Sequence, residues 1–175
     1  IMKKSNRRLL TIESPQNRLT PLMRERVLKP IEGGWIVQTE EPPIIDWASA
    51  KTVTKKQVTQ SEIDSMQFAV RVCEQVKSNA IVMVQGLATV GIGPGQTSRV
   101  EAVRIAARRA GDRAKDCVLA SDAFFPFADG LEQAAMAGAS AIVQPGGSIR
   151  DQEVIDAADA MGISMLFTGH RLFRH

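Results

Sequence analysis

Asn79-Ala80-Ile81-Val82-Met83-Val84-Gln85-Gly86-Leu87-Ala88-Thr89-Val90-Gly91-Ile92 decides the fold of this chain. Ala80 to Val84 is a short, continuous apolar run rich in β-branched residues, which reads as a buried strand. Leu87 to Ile92 pairs with it as a hairpin through Gln85-Gly86. Downstream the pattern alternates. A helix is expected from about Gln96 to Ala110, with Val100, Val103, Ile105 and Ala107 supplying its apolar surface. Cys117 to Ala120 is another buried strand, Leu131 to Ala137 a short helix ended by Gly138, and Ala141 to Val143 a strand. Ser148 and Asp151 have capping-box spacing and open a helix that reaches about Met161 and stops at Gly162. Ile163 to Phe167 is the last strand. Strands alternating with helices predict an α/β fold with helices on both faces of a sheet. In such sheets ligands gather beyond the carboxyl ends of the strands.

Upstream, Thr59 and Glu62 form a second capping box. It precedes Ile63, Met66, Ala69, Val70, Cys73 and Val76 at helical spacing. Ile44 to Val58 reads as irregular or short-helical. Gly33-Gly34 leads into a strand at Trp35 to Thr39 that Pro42-Pro43 closes, and Leu9 to Ile12 is a candidate first strand. Pro15, Pro21 and Pro30 read as breaks.

A chain of 175 residues with 44% apolar side chains suits one domain around a single core. No stretch approaches the roughly 20 apolar residues of a membrane-spanning helix. The start is basic but has no apolar region behind it, so it is not a secretory signal. Opening on Ile1 rather than Met, the sequence is expected to have further residues upstream. Cys73 and Cys117 lie in apolar segments without metal-ligand spacing and read as reduced core thiols of a cytoplasmic protein. The 22 basic and 19 acidic side chains give a net charge of +3, which suits anionic ligands without demanding nucleic acid. Tyrosine is absent and aromatics are 5%, which leaves no stacking platform for single strands.

Three features fall at strand ends. Gly91-Ile92-Gly93-Pro94-Gly95-Gln96-Thr97-Ser98-Arg99 follows a strand and opens a helix, so its glycines and amides could receive an anion. It is neither G-x-G-x-x-G nor a P-loop, and a tight turn without ligand is an equal reading. Ser121-Asp122-Ala123-Phe124-Phe125-Pro126-Phe127-Ala128-Asp129-Gly130 holds three of the chain's six phenylalanines between two acids. Such a loop suits a flat heterocycle, or it folds over its own aromatic plug. Thr168-Gly169-His170-Arg171-Leu172-Phe173-Arg174-His175 carries both histidines. It is either a basic frayed segment or a binding segment anchored by Leu172 and Phe173, with Arg171 and Arg174 as planar donors. No Ser-His-Asp order, H-E-x-x-H or paired-cysteine motif occurs, nor the zinc signature of the nucleobase deaminases. This argues against metal-dependent hydrolysis.

In this order the motifs resemble a known family. Gly91-Ile92-Gly93 with Gly95-Gln96 and Ser98-Arg99, Ser121 to Phe127, Gln144-Pro145-Gly146-Gly147-Ser148-Ile149-Arg150-Asp151 and Arg171-Leu172-Phe173-Arg174-His175 look like signatures of AICAR formyltransferase/IMP cyclohydrolase. AICAR is the ribonucleotide phosphoribosylaminoimidazolecarboxamide. The resemblance covers about residues 30 to 175 and is expected to extend over the whole chain. It implies a layered α-β-α, cytidine-deaminase-like fold with a mixed central sheet. Residues 1–175 would be the second, C-terminal subdomain of the transformylase, with the first subdomain and the cyclohydrolase domain lying outside them. The implied activity is formyl transfer from 10-formyltetrahydrofolate, a co-substrate, to the amino group of AICAR in purine (IMP) biosynthesis, with no metal. The implied assembly is a homodimer, or a pairing with a first-half chain, without nucleic acid or membrane.

Carried over by motif, Asn79 would lie near the carboxamide or the formyl group, and His175 would support proton transfer. Arg171 and Phe173 would hold the AICAR base, with Phe124 packed near the reacting rings. Arg99, Asp129, Phe127, Pro145 and Gly146 would belong to the folate side. His170 reads as a structural or surface residue. The family takes its central Lys-His pair from the first subdomain, and these 175 residues contain no Lys-His dipeptide. Two other readings stand beside this one: a non-catalytic folate- or nucleotide-binding module of the same fold, and a nucleotide-binding α/β domain that uses the Gly91 to Arg99 loop.

Overall fold

The computed structural model describes residues 26–39 and 45–174. The expected strand at Leu9 to Ile12, the basic start and His175 lie outside them. The chain divides into two compact units, one up to Pro42 and one from Pro43 onward.

In the first unit, β1 (Arg26–Ile31) pairs antiparallel with β2 (Gly34–Thr39), and Ile31 opposite Gly34 closes the ladder. Glu32 and Gly33 make the turn, Gly33 at φ +81°, which glycine adopts without a Cβ penalty. Pro30, read from sequence as a break, lies inside β1 opposite Trp35. A two-stranded ribbon leaves each strand one edge without a neighbour, and proline is tolerated on such an edge.

The second unit is a six-stranded mixed sheet of order β3-β8-β7-β6-β4-β5. Its strands are β3 (Lys51–Thr52), β4 (Ile81–Gln85), β5 (Ala88–Gly93), β6 (Cys117–Ser121), β7 (Ala139–Gln144) and β8 (Ser164–Phe167). The three strands β6, β7 and β8 run parallel, while β3, β4 and β5 join by antiparallel pairing. Among the described residues four α-helices cover it: α1 (Gln60–Cys73), α2 (Arg99–Ala110), α3 (Ala128–Ala137) and α4 (Asp151–Ala160). Side chains alternate along each strand and build two cores. Ile81, Met83, Leu119, Ile142 and Met165 pack with α2, α3 and α4. Val82, Val84, Ala120, Val143 and Leu166 pack with α1. Period-two alternation with apolar residues on both sides is what a sheet buried on both faces requires. The layered α/β class expected from sequence is the observed one.

Local chemistry explains the boundaries. The Thr59 side chain accepts the Glu62 N–H and the Glu62 carboxylate accepts the Thr59 N–H, closing the expected capping box on α1. The second box is only half made. The Asp151 carboxylate accepts from the Ser148 and Gly147 amides, but Ser148 Oγ accepts from Arg150 rather than Asp151. The segment read as irregular contains the two-residue edge strand β3, whose neighbour Thr54 accepts the Met165 N–H.

Two expectations about α2 are corrected. It begins at Arg99 rather than near Gln96, and it buries Arg99, Ala102, Val103, Ala106 and Ala110. Of the expected stripe Val103 is buried and Ala107 packs partly against the core, while Val100 and Ile105 are only half-buried. Gly91 and Gly93 explain the change. A Cβ on Gly91 would lie 2.1 Å from the Ala106 carbonyl oxygen, and one on Gly93 1.9 Å from that of Ala102. These glycines bring β5 against the backbone of α2, so the helix presents alanines there. Their role is helix–strand packing rather than approach to a ligand.

Topology then gathers the loops of interest. Ile81, at the start of β4, pairs with Ser121, at the end of β6, and with Gly93, at the end of β5. The start of antiparallel β4 therefore lies at the same sheet edge as the carboxyl ends of β5, β6, β7 and β8. Asn79, the turn to Arg99, the phenylalanine loop and the segment after Phe167 all emerge there.

Candidate functional site

A cavity of about 480 Å³ opens at this edge. Asn79 comes from the entry to β4, and Thr97 to Val100 from the start of α2. Ala123 to Phe127 come from the loop between β6 and α3, Asp129 and Gly130 from the first turn of α3, and Arg171 and Phe173 from the segment after β8. Of the ten residues singled out from sequence, seven line it: Asn79, Arg99, Phe124, Phe127, Asp129, Arg171 and Phe173. Pro145 and Gly146 are buried and do not line it. Gly146 instead faces the Phe167 ring, where a Cβ would approach to 2.4 Å. Their loop reaches the cavity's rim through Arg150, whose guanidinium lies 4.6 Å from the centroid of Phe127.

The floor of the site is a buried charge pair. Arg99 NH1 donates to Asp122 Oδ1 at 2.5 Å and to Ser121 Oγ at 2.7 Å, and NH2 donates to Asn79 Oδ1 at 2.9 Å. Asp122 is fully buried, and among the described residues its Oδ2 has no hydrogen-bond partner. Arg99 therefore carries most of the compensation for that charge. The Ser121 O–H donates in turn to the Ala123 carbonyl at 2.7 Å. Asn79 Nδ2 donates to the Gln96 carbonyl at 2.8 Å, and the Asn79 and Gln96 backbones exchange two further hydrogen bonds. The amide is thus assigned by its neighbours, because Arg99 offers only donors and the carbonyl only accepts.

The phenylalanine loop divides its labour. Phe125 is buried in the core, its N–H held by the Gln144 side chain at 2.8 Å, while Phe124 is half-buried and Phe127 exposed beside the cavity. Both readings of this loop are therefore partly met: one ring is a plug and two face open space. Asp129 sits exposed in the first turn of α3, where its carboxylate accepts the Gly130 N–H. Negative charge is favourable at a helix N-terminus.

The last segment is pinned, not frayed, through Arg174. The buried Leu172 donates its N–H to the Asp122 carbonyl at 2.8 Å, the Ser78 N–H donates to the Arg174 carbonyl, and the Arg174 N–H donates to Ser78 Oγ. Arg174 also bonds the Gln75 amide. Leu172 is the anchor, whereas Phe173 is half exposed at the cavity and Arg171 lies over Phe124. Sequence reasoning placed Asp122 only at the rim of its loop, and it missed Ser121, Gln96 and Gln144. The available signal was position: a polar residue at or just past the end of an all-apolar strand is buried and needs a partner.

Both cysteines are buried and free. Burial raises the Cys73 thiol, Asp122 adding to the effect and Arg99 opposing it. Burial pushes Cys117 up to about 11. Neither offers a thiolate near neutral pH. Among the described residues no group of three or more His, Cys, Asp or Glu could hold a metal, and no helix is long and apolar enough to cross a membrane.

Fold and cavity define an α/β domain with an open cavity at one edge of a mixed sheet. The family model described as AICARFT/IMPCHase bienzyme matches residues 1–109. The bifunctional purine biosynthesis protein PurH of Brucella anthropi is 51% identical over 183 residues, covering 99% of this chain and 33% of the relative. PurH of Chelativorans sp. is 50% identical over 184 residues, covering 100% of this chain and 34% of the relative. The chain belongs to the AICARFT/IMPCHase bienzyme family, and it spans about a third of the length of the curated relatives it matches. Among solved structures, RibD of Acinetobacter baumannii aligns with a TM-score of 0.42 at 14% identity, covering 61% of this chain and 34% of that one.

Proposed function

We propose that this chain supplies the second half of an AICAR formyltransferase site in purine biosynthesis. The observation that carries the reading is the convergence of seven motif residues, drawn from four separate segments, on one cavity. Its volume lies in the range of small-molecule sites, roughly 300–1,000 Å³. Phe124 and Phe173 offer ring faces to flat heterocycles, Arg171 a planar donor and Asp129 a carboxylate acceptor for the folate ring. Pro145 and Gly146 act through the loop they shape rather than from the cavity wall.

In the reaction the AICAR amine attacks the formyl carbon of 10-formyltetrahydrofolate. The bond from that carbon to N10 breaks, and the proton lost by the amine is taken up as N10 leaves. The amine is a poor nucleophile because its lone pair delocalises toward the ring carboxamide. Orientation and a base must therefore supply the rate. Asn79 Nδ2 has one proton not used by Gln96, which supports a role in stabilising negative charge on the formyl oxygen. The base is the family's Lys-His pair from a first subdomain, with His175 in support. The protein works in the cytoplasm, as a homodimer or paired with a first-half chain.

Titrating AICAR and a 10-formyltetrahydrofolate analogue into the protein tests the site. Saturable binding that weakens in Phe124→Ala and Asp129→Ala supports it. Absence of binding to both ligands would sink it. Binding without turnover in every mixture would favour a non-catalytic module.

A further inference from the structure

We propose that Arg99, anchored by Asp122, is a positioning residue that locks the Asn79 amide so that it meets a ligand only as a hydrogen-bond donor. This rests on the proposed transformylase reading and revises one part of it, because the family resemblance places Arg99 on the folate.

The geometry carries the argument. Arg99 is buried, and both of its terminal nitrogens are engaged: NH1 by Asp122 and Ser121, NH2 by Asn79 Oδ1. Asp122 is itself fixed, its N–H bonded to the Ala80 carbonyl and its own carbonyl accepting from Leu172. The guanidinium is therefore oriented by a rigid, fully buried carboxylate. A guanidinium has no acceptor, so the Asn79 atom facing it is the oxygen, and the Nδ2 edge turns toward Gln96 O. An unheld asparagine amide has two orientations of similar energy, and half of them would present an oxygen to an oxygen. The relay Asp122–Arg99–Asn79–Gln96 removes the wrong one before any ligand arrives. Supporting contacts of this kind are what hold a reacting group to its productive geometry. A carbonyl or carboxamide oxygen is accordingly the group the site selects at Asn79.

Removing Arg99 alone strands a buried carboxylate and invites misfolding. The test therefore uses Arg99→Met combined with Asp122→Asn, which neutralises both partners, and Arg99→Lys, which keeps the charge opposite Asp122 but has one nitrogen where Arg99 uses two. Two readouts are taken on the protein together with its first-half partner. The first is steady-state kinetics, and the second is hydrogen exchange of the Asn79 side-chain amide by NMR. Both variants are expected to lose on the order of 100-fold in kcat, with the KM for 10-formyltetrahydrofolate within about twofold of the parent. The Asn79 amide should exchange faster in both. A KM for the folate raised about tenfold with kcat retained would show direct folate contact and overturn the proposal. Full kcat in the Arg99→Lys variant, or an unchanged Asn79 exchange rate, would overturn it as well. A parent protein that transfers no formyl group refutes the transformylase reading alone. The exchange comparison then still decides whether Arg99 holds Asn79.

Discussion

The Arg171 guanidinium lies 5.0 Å from the centroid of the Phe124 ring, joining the segment after β8 to the loop after β6. The two residues line the same cavity, so each orders the other at the place where a heterocycle would stack. A cation over an aromatic face contributes about 0.5–1 kcal/mol at exposed sites and more when desolvated. Arg171→Gln and Phe124→Leu should each weaken AICAR binding by about tenfold with little effect on the thermal midpoint. Calorimetric titration with parallel thermal unfolding checks this. A large fall in the midpoint would recast the pair as structural.

Gly91→Ala and Gly93→Ala place a methyl about 2 Å from backbone oxygens of α2. Neither partner is a flexible side chain, so helix and strand must separate. Each substitution is expected to cost at least about 1–3 kcal/mol in urea unfolding. Gly95→Ala meets only Lys77, at 3.8 Å, and bears the positive φ alone, so its cost should be about 1 kcal/mol. The reverse ranking would return Gly91 and Gly93 to the role of ligand approach.

Asp151→Ala removes the acceptor for the Gly147 and Ser148 amides at the start of α4. A loss of about 1–2 kcal/mol follows from leaving these two amides without their charged acceptor. Because that turn does not line the cavity, AICAR binding should be nearly unchanged. A strong binding defect in a stable variant would place the turn in the site itself.

The Cys117 thiol stands at about 11 rather than 9.0 because burial disfavours its charged form. A folded-state value raised in this way gives stability that is complete below about pH 9 and is lost as pH climbs through about 11. Cys117→Ala lacks that loss. The stability advantage of the parent over the variant should shrink across this window in urea unfolding. A difference that stays flat with pH would mean the thiol is not sealed from water.

Most of the sheet was legible because β4, β6, β7 and β8 are built on short apolar runs that a doubly covered sheet accepts, and β5 follows as the hairpin partner of β4. β3 was not, since two residues carry no period. β1 was hidden by Pro30, whose tolerance depends on having a free edge rather than on any local signal. The face of α2 was read only in part, through Val103 and Ala107, because Ala102, Ala106 and Ala110 were passed over for Val100 and Ile105, while the glycines of β5 reward small residues. In the site, motif order pointed to residues that do share a cavity. The Arg99–Asp122 pair was not legible, because the partners are 23 positions apart and meet only through the pairing of β4 with β6.

The central claim is a shared active site, and formyl transfer tests it most directly. AICAR and 10-formyltetrahydrofolate are given to this chain alone, to a polypeptide carrying the Lys-His first subdomain alone, and to the two together. Formyl-AICAR is then followed by chromatography. The account predicts product only in the mixture, and a loss on the order of 100-fold when the mixture carries Asn79→Ala. Transfer by this chain alone, or a mixture that turns over equally well with Asn79→Ala, would contradict it.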